Sequence, residues 1–317
     1  MGEFELIRTF FAGNDRQEGV KLGIGDDCAL LQPPCGKELA VTTDTLNEGY
    51  HFFKGTDPFV LGYRSLQVNL SDLAAMGAAP WCFTLSVTLP EANPAFLKDF
   101  AAGLFSLAKA EGIALIGGNT SKGPLSITIS AYGLIEEGTA MCRNLARAGE
   151  DIYVTGRLGF NGLYVKAGYR EFATDEQTLL LWCRQSLMGP TRTAFARELK
   201  KISRCAIDIS DGVVGDLSHI LRASQVGAEL DLGLLPQDEH LLLLNSPDER
   251  IELAAFGGCD YELLFTLDRS RSGTLCRLSD RYKVPVTKVG TITSSGEFNI
   301  LKYGKIYDSK LKAFEHF

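Results

Sequence analysis

The chain has 317 residues, 32 of them basic and 39 acidic, for a net charge of −7 at neutral pH. Apolar residues make up 45% and charged residues 22%, values of a globular chain long enough for two separately cored domains. The acidic surplus argues against a nucleic-acid-binding face, and no run approaches the roughly 18 apolar residues of a membrane span. The start, MGEFELIRTFF, has Glu3 and Glu5 where a secretory leader needs positive charge, so a cytoplasmic protein is expected. Eight scattered cysteines contain no C-x₂-C pair, which fits neither a zinc site nor a disulfide scaffold. Reduced, mostly buried thiols are expected.

In chain order, Leu39–Thr43 reads as a strand entering the polar segment 44–51. Asp57-Pro58 has the form of an N-cap and first helical residue, opening a helix that ends near Gly77. Phe59, Tyr63, Leu66, Leu70 and Leu73 form its apolar stripe, and Ser65, Asn69 and Asp72 form a polar line beside it. Trp81–Leu89 alternates as a strand. Asn93-Pro94 opens a second helix that Gly112 stops. Ile113–Ile116 and Leu125–Ile135 read as strands around a loop at Gly117–Pro124.

After a charged link at 136–150 a second series begins. Strands are expected at Asp151–Thr155, Cys205–Ile209, Ala228–Leu232, Tyr261–Leu267 and near 286–292 and 297–301. Helices are expected within 161–169, 175–187, 190–201, 211–225 and 248–256. The pattern predicts an α/β protein of two domains, 1–138 and 139–317.

Four short segments place aspartate beside glycine or at a strand end: GIGDD (23–27), TTDT (42–45), DISDG (208–212) and GGCDYEL (257–263). Asp72 and the loop GGNTSKG (117–123) complete the set. Short carboxylates and threonine oxygens are the hard ligands Mg²⁺ selects, and glycines let backbone N–H groups approach phosphates. Each segment also has a plainer meaning. Asp26-Asp27 fits a turn, Asp44 a loop start, Asp211 a helix N-cap and Asp72 a solvated helix edge. Asp57 is assigned to capping alone, and His51 is notable for following TTDT closely. A P-loop, a strand-linked G-x-G-x-x-G and the protein-kinase motifs are all absent from the sequence.

Taken in order, GIGDDCAL, TTDTLNEGYHF, VNLSDLAAMGA, IGGNTSKGPL, AIDISDG and GGCDYELLF resemble the thiamine-monophosphate kinases along nearly the whole chain, including the terminal KAFEHF. That family is similar in fold to aminoimidazole ribonucleotide synthetase and selenophosphate synthetase. The resemblance implies an N-terminal domain that dimerises through its sheet, a C-terminal α/β domain and a site in the cleft between them. It implies direct transfer of the ATP γ-phosphoryl group to thiamine monophosphate, with several Mg²⁺ ions. By position, Asp27, Thr42, Thr43, Asp44, Asp72, Asn119, Asp208 and Asp211 match metal-binding positions. Gly118, Asn119, Arg143 and Ser210 match positions around ATP, with Arg147 competing for the place of Arg143. His51, Cys259 and Phe314 match positions lining the substrate pocket.

Two residues depart from the family pattern. Asn119 stands where GGDT has Asp, and Cys259 stands where GGEDYEL has Glu; Asp260 is a candidate to compensate for the latter. Two other readings follow: a nucleotide-binding protein of this fold weakened in catalysis, and another ATP-dependent ligase of the fold group.

Overall fold

The computed structural model describes residues 2–13 and 17–307. The chain forms two compact units. The first takes the chain up to Leu73, then Ala78–Gly138 and Cys183–Met188; the second takes Ala74–Gly77, Thr139–Trp182 and the chain from Gly189. Both mix helices with sheet.

The first unit runs α1 (Glu3–Phe10), β1 (Val20–Leu22), β2 (Leu30–Leu31), β3 (Lys37–Asn47), α2 (Pro58–Ala75), β4 (Ala79–Leu89), α3 (Pro94–Glu111), β5 (Ala114–Lys122) and β6 (Ser126–Glu136). Its main sheet has the order β3-β6-β4-β5, antiparallel except for the β4–β5 pair, which α3 connects as a crossover. Alternation along the strands sorts the two faces. Leu85, Val87, Ile127 and Ile129 are buried, as are Leu66, Leu70 and Leu73 of α2 and Leu97, Phe100 and Leu104 of α3. The other face carries hydroxyl pairs: Thr43–Ser130 at 2.8 Å, Thr45–Thr128 at 2.9 Å and Thr88–Ser121 at 3.0 Å.

Local chemistry explains the helix ends. Asp57 Oδ1 accepts the Phe59 N–H at 2.9 Å, and Asn93 Oδ1 accepts from Ala95 and Phe96. Gly112 takes the left-handed conformation that closes α3. Where α2 meets α3, a Cβ on Gly62 would lie 2.0 Å from the Phe100 carbonyl oxygen, so only glycine permits that approach.

The expected loop at 117–124 is mostly strand. Gly117–Lys122 continues β5 because its backbone pairs in parallel with Thr84–Leu89, a partner that residue type alone does not reveal. The cysteines also differ from expectation. All eight are free thiols, but only Cys82, Cys183 and Cys205 are buried.

The second unit contains β7 (Asp151–Thr155), α4 (Phe160–Gly168), α5 (Glu176–Leu187), α6 (Thr193–Leu199), β8 (Cys205–Asp208), α7 (Val213–Ser224), β9 (Gly227–Asp231), α8 (Pro247–Phe256), β10 (Leu263–Leu267), α9 (Ser272–Tyr282), β11 (Val286–Thr293), β12 (Phe298–Lys302) and β13 (Lys305–Ile306). Its sheet has the order β13-β12-β9-β11-β7-β10-β8, with β12–β9 the parallel pair. Every residue of β7, β8 and β10 is buried. Phe195, Tyr153, Phe265 and Leu275 pack into one core cluster beside these strands. Helices α1 and α9 have no counterpart among the expected elements. In α9 the reason is visible: Leu275 is its one buried residue, so its apolar signal is thin.

Candidate active site

In the first unit, alternation along β3 puts Thr42 and Asp44 on the face toward α2. Thr42 Oγ1 donates to Asp72 Oδ2, and Asp44 hydrogen-bonds the same carboxyl group. Burial, the charge of Asp72 and that hydrogen bond push Asp44 up to about 7. Two carboxyl groups pressed together in this way share a proton or require a cation. Below Asp72 on α2 lies the polar line: Asn69 is fully buried, Ser65 nearly so, and the Asn69 amide donates to the Ser65 carbonyl. Asn69 Oδ1 is buried without a hydrogen-bond partner among the described residues. The solvated edge suggested by the sequence is therefore interior at Asn69 and Ser65, while Asp72 is half-buried.

Thr43 points the other way, its hydroxyl bonded to Ser130. Asn119 shares that face: it lies opposite Ser86, two residues before the Ser121 that meets Thr88. Three strand spacings, about 14 Å, separate β3 from β5 across the sheet. Asp44 and Asn119 thus sit on opposite edges and opposite faces, and the unit does not bring them together. Gly118 is required by packing, since its Cβ would stand 1.8 Å from the Leu85 carbonyl oxygen. Asp27 is exposed in a turn where Asp26 Oδ1 accepts its N–H at 2.9 Å. His51 is exposed, and its Nδ1 accepts the Asn47 N–H at 3.0 Å.

In the second unit the chemistry sits on loops. Asp208, at the end of β8, is buried; Ser210 and Asp211 follow it, half-buried. The helix α7 begins after Gly212, so Asp211 is not its N-cap. Residues 257–262 lie directly on this loop. The Cys259 N–H donates to the Ser210 carbonyl at 2.6 Å, Tyr261 N–H to Ile209 O at 2.9 Å, and Ile209 N–H to Glu262 O at 2.8 Å. Cys259 and Tyr261 hold left-handed backbone at φ 55° and 52°, a strained conformation for side-chain-bearing residues. The loop is anchored below by Glu262, whose carboxylate takes Arg192 Nε at 2.6 Å and the Thr155 hydroxyl at 2.5 Å. Both Asp260 oxygens accept the Gly159 N–H at the start of α4, so that carboxylate serves α4. Arg143 lies near enough to favour the charged form of Asp216 on α7, whereas the Arg147 N–H is tied back to Glu150. Phe314 lies outside the described residues.

Comparison with known proteins agrees along the chain. The AIR synthase related protein family matches with its N-terminal domain over residues 25–135 and its C-terminal domain over residues 147–302. The thiamine-monophosphate kinase of Escherichia coli (strain K12) is 40% identical over 323 aligned residues, covering 100% of this chain and 98% of that protein. The chain belongs to the thiamine-monophosphate kinase family.

The crystal structure of thiamine-monophosphate kinase from Stenotrophomonas maltophilia K279a is 38% identical, with a TM-score of 0.84 over 92% of this chain and 93% of that one. AaThiL complexed with AMPPCP and TMP is 28% identical, with a TM-score of 0.78 over 90% of this chain and 89% of that one. The hydrogenase maturation protein HypE of E. coli shares the fold, with a TM-score of 0.77 at 19% identity over 98% of this chain and 97% of that one. Two features that support the loops of the second unit carry little signal in the sequence. The buried pair Arg192–Glu262 supports the 257–262 loop, but its partners are 70 residues apart. Asp216 carries a clearer sign, an acidic residue in the first turn of the helix that follows DISDG.

Proposed function

We propose that this chain transfers the γ-phosphoryl group of ATP directly to the phosphate of thiamine monophosphate, giving thiamine diphosphate and ADP, with Mg²⁺ at its carboxylates. The observation that carries this reading is the Asp44–Asp72 pair with Thr42 against it. Its donors are all oxygen, the choice of a hard cation, and the orphaned Asn69 Oδ1 adds a buried neutral oxygen on the same polar line of α2. Among the described residues no three His, Cys, Asp or Glu side chains form a metal cage by themselves. That suits Mg²⁺ in phosphoryl transfer, which is commonly held by one or two carboxylates, waters and the substrate phosphates. Bound there, Mg²⁺ would neutralise the repulsion between donor and acceptor phosphates.

Asp27, Thr42, Asp44, Asp72, Asp208 and Asp211 are assigned to holding the metal ions, Thr43 through its carbonyl, and Asn119 through its amide oxygen. Gly118, Asn119, Arg143 and Ser210 are assigned to ATP, and His51, Cys259 and Phe314 to thiamine monophosphate. No general base is assigned, because the acceptor phosphate is already ionised and the work is alignment and charge stabilisation. A homodimer formed through the hydroxyl-lined sheet face is part of the reading. That face leaves Leu39 and Val41 exposed, and a second copy against it would cover Asn119. No described helix is long and apolar enough to cross a membrane, and the chain is assigned to the cytoplasm. AaThiL complexed with AMPPCP and TMP supports the choice of co-substrate and acceptor.

The test is the purified chain with ATP, Mg²⁺ and thiamine monophosphate, following ADP and thiamine diphosphate together. Equal release of the two supports the reading. ATP binding without product at millimolar Mg²⁺ overturns it.

A further inference from the structure

The Ser210–Asp211 loop is held by its carbonyls on one side and its amides on the other. Cys259 and Tyr261 donate to the carbonyl oxygens of Ser210 and Ile209, as described above. The amides have a different partner. Asp216 Oδ2 accepts both the Ser210 N–H and the Asp211 N–H, each at 3.1 Å. Asp216 reaches back from the first turn of α7 to do so, and is itself only 2% exposed.

One oxygen receiving two successive N–H groups fixes both peptide planes that flank Ser210. It thereby fixes the direction in which the Ser210 side chain leaves the backbone and the peptide plane from which Asp211 starts. Burying a carboxyl group here has a cost, since burial and the neighbouring Asp211 carboxylate both oppose its charge. That cost is retained although Val213, Leu217, Ile220 and Leu221 already supply the apolar packing of α7.

We propose that Asp216 is a positioning residue of the kinase, setting the Ser210–Asp211 loop so that Asp211 meets its metal ion; this rests on the assignment of Asp211 given above. The essential property is the place of one acceptor oxygen, not the negative charge. Cys259 completes the clamp through its backbone N–H, which is unaffected by its having a thiol where the family pattern has a carboxylate.

Two substitutions separate position from charge. Asp216→Asn keeps an oxygen at the same distance from the backbone and discards the charge. Asp216→Glu keeps the charge and moves the oxygens outward by one methylene. Mn²⁺ is titrated into each protein with a non-hydrolysable ATP analogue and followed by electron paramagnetic resonance, without turnover. Circular dichroism establishes that each variant is folded. The Glu variant is expected to bind Mn²⁺ about tenfold more weakly, the scale of displaced supporting groups around metal ligands. The Asn variant is expected to stay close to wild type. Asp211→Asn, run in parallel, tests the assignment beneath the proposal. If it leaves Mn²⁺ binding unchanged, the metal role of Asp211 fails. If Asp211→Asn weakens binding while the Glu variant matches wild type, or the Asn variant is the weaker of the two, the positioning role fails. Should Asp216→Glu not fold, Asp216→Ser takes its place. Its shorter side chain withdraws the acceptor, and the same tenfold loss is expected; wild-type binding would overturn the proposal.

Discussion

The two acidic regions are built in different ways. In the first unit, Thr42, Asp44 and Asp72 project from a long strand and a long helix, and the side chains meet one another directly. In the second, Asp211 stands on a loop whose course is set by backbone hydrogen bonds with Cys259, Tyr261 and Glu262 and by the Asp216 carboxylate, over the buried Arg192–Glu262 pair. Regular elements hold ligands by their own rigidity, and a loop must borrow it. Errors should therefore propagate differently: in the first region through the proposed ligands themselves, in the second through the residues that set the course of the loop.

The largest expected effect breaks the borrowed rigidity. Glu262→Ala leaves Arg192, 9% exposed at its side chain, as an uncompensated buried charge. A loss of about 3–5 kcal/mol is expected for such a break and is read by denaturant unfolding. Glu262→Gln, which keeps its oxygen acceptor, should lose less. Next come the proposed ligands of the first region. Asp44→Asn or Asp72→Asn should lower kcat on the order of a hundredfold to a thousandfold with the circular dichroism spectrum unchanged. A near-wild-type rate in either would remove that residue from the metal set.

A smaller effect concerns pH in chelator. Asp44 and Asp216 are each pushed up to about 7 from an ordinary 3.8, chiefly by burial, with neighbouring Asp72 and Asp211 adding to it. The folded state then holds these protons more tightly than the unfolded chain between about 4 and about 7. Their contribution to stability is greatest below that window, falls as pH rises through it and levels off above. Thermal unfolding of wild type against Asp44→Asn across this range should show a shallower decline in the variant, and Mg²⁺ should flatten the wild-type profile. The smallest effect is expected at Asn119, which is exposed on the far face of the sheet. Asn119→Asp should lower the Mg²⁺ concentration for half-maximal rate by no more than about fivefold, since three strand spacings separate it from Asp44.

Elements with strong local signals were legible in advance. The caps at Asp57 and Asn93, the αL stop at Gly112 and the strand β4 depend on neighbours within a few residues. Strand β5 was half hidden, because the pairing that makes Gly117–Lys122 extended comes from a strand about thirty residues earlier. The acidic residues Asp44 and Asp72 were legible as types in a recurring order, but their contact was not. Helical spacing placed Asn69 with Asp72 and left open whether the line faced water or the interior.

The order of the aspartate-bearing motifs carried the resemblance to the kinase family, and their residue types supplied oxygen donors of the kind a hard cation selects. These properties belong to residue identity and short spacing, which a linear chain states directly. The tertiary structure decided which of those residues meet. The two-residue alternation of β3 turned Thr42 and Asp44 toward Asp72 and Thr43 toward Ser130, and the three strand spacings set Asn119 apart. It also brought Asp216 under the Ser210–Asp211 amides, because a helix turning back on its preceding loop joins residues by direction in space. Sequence spacing alone carries no such direction.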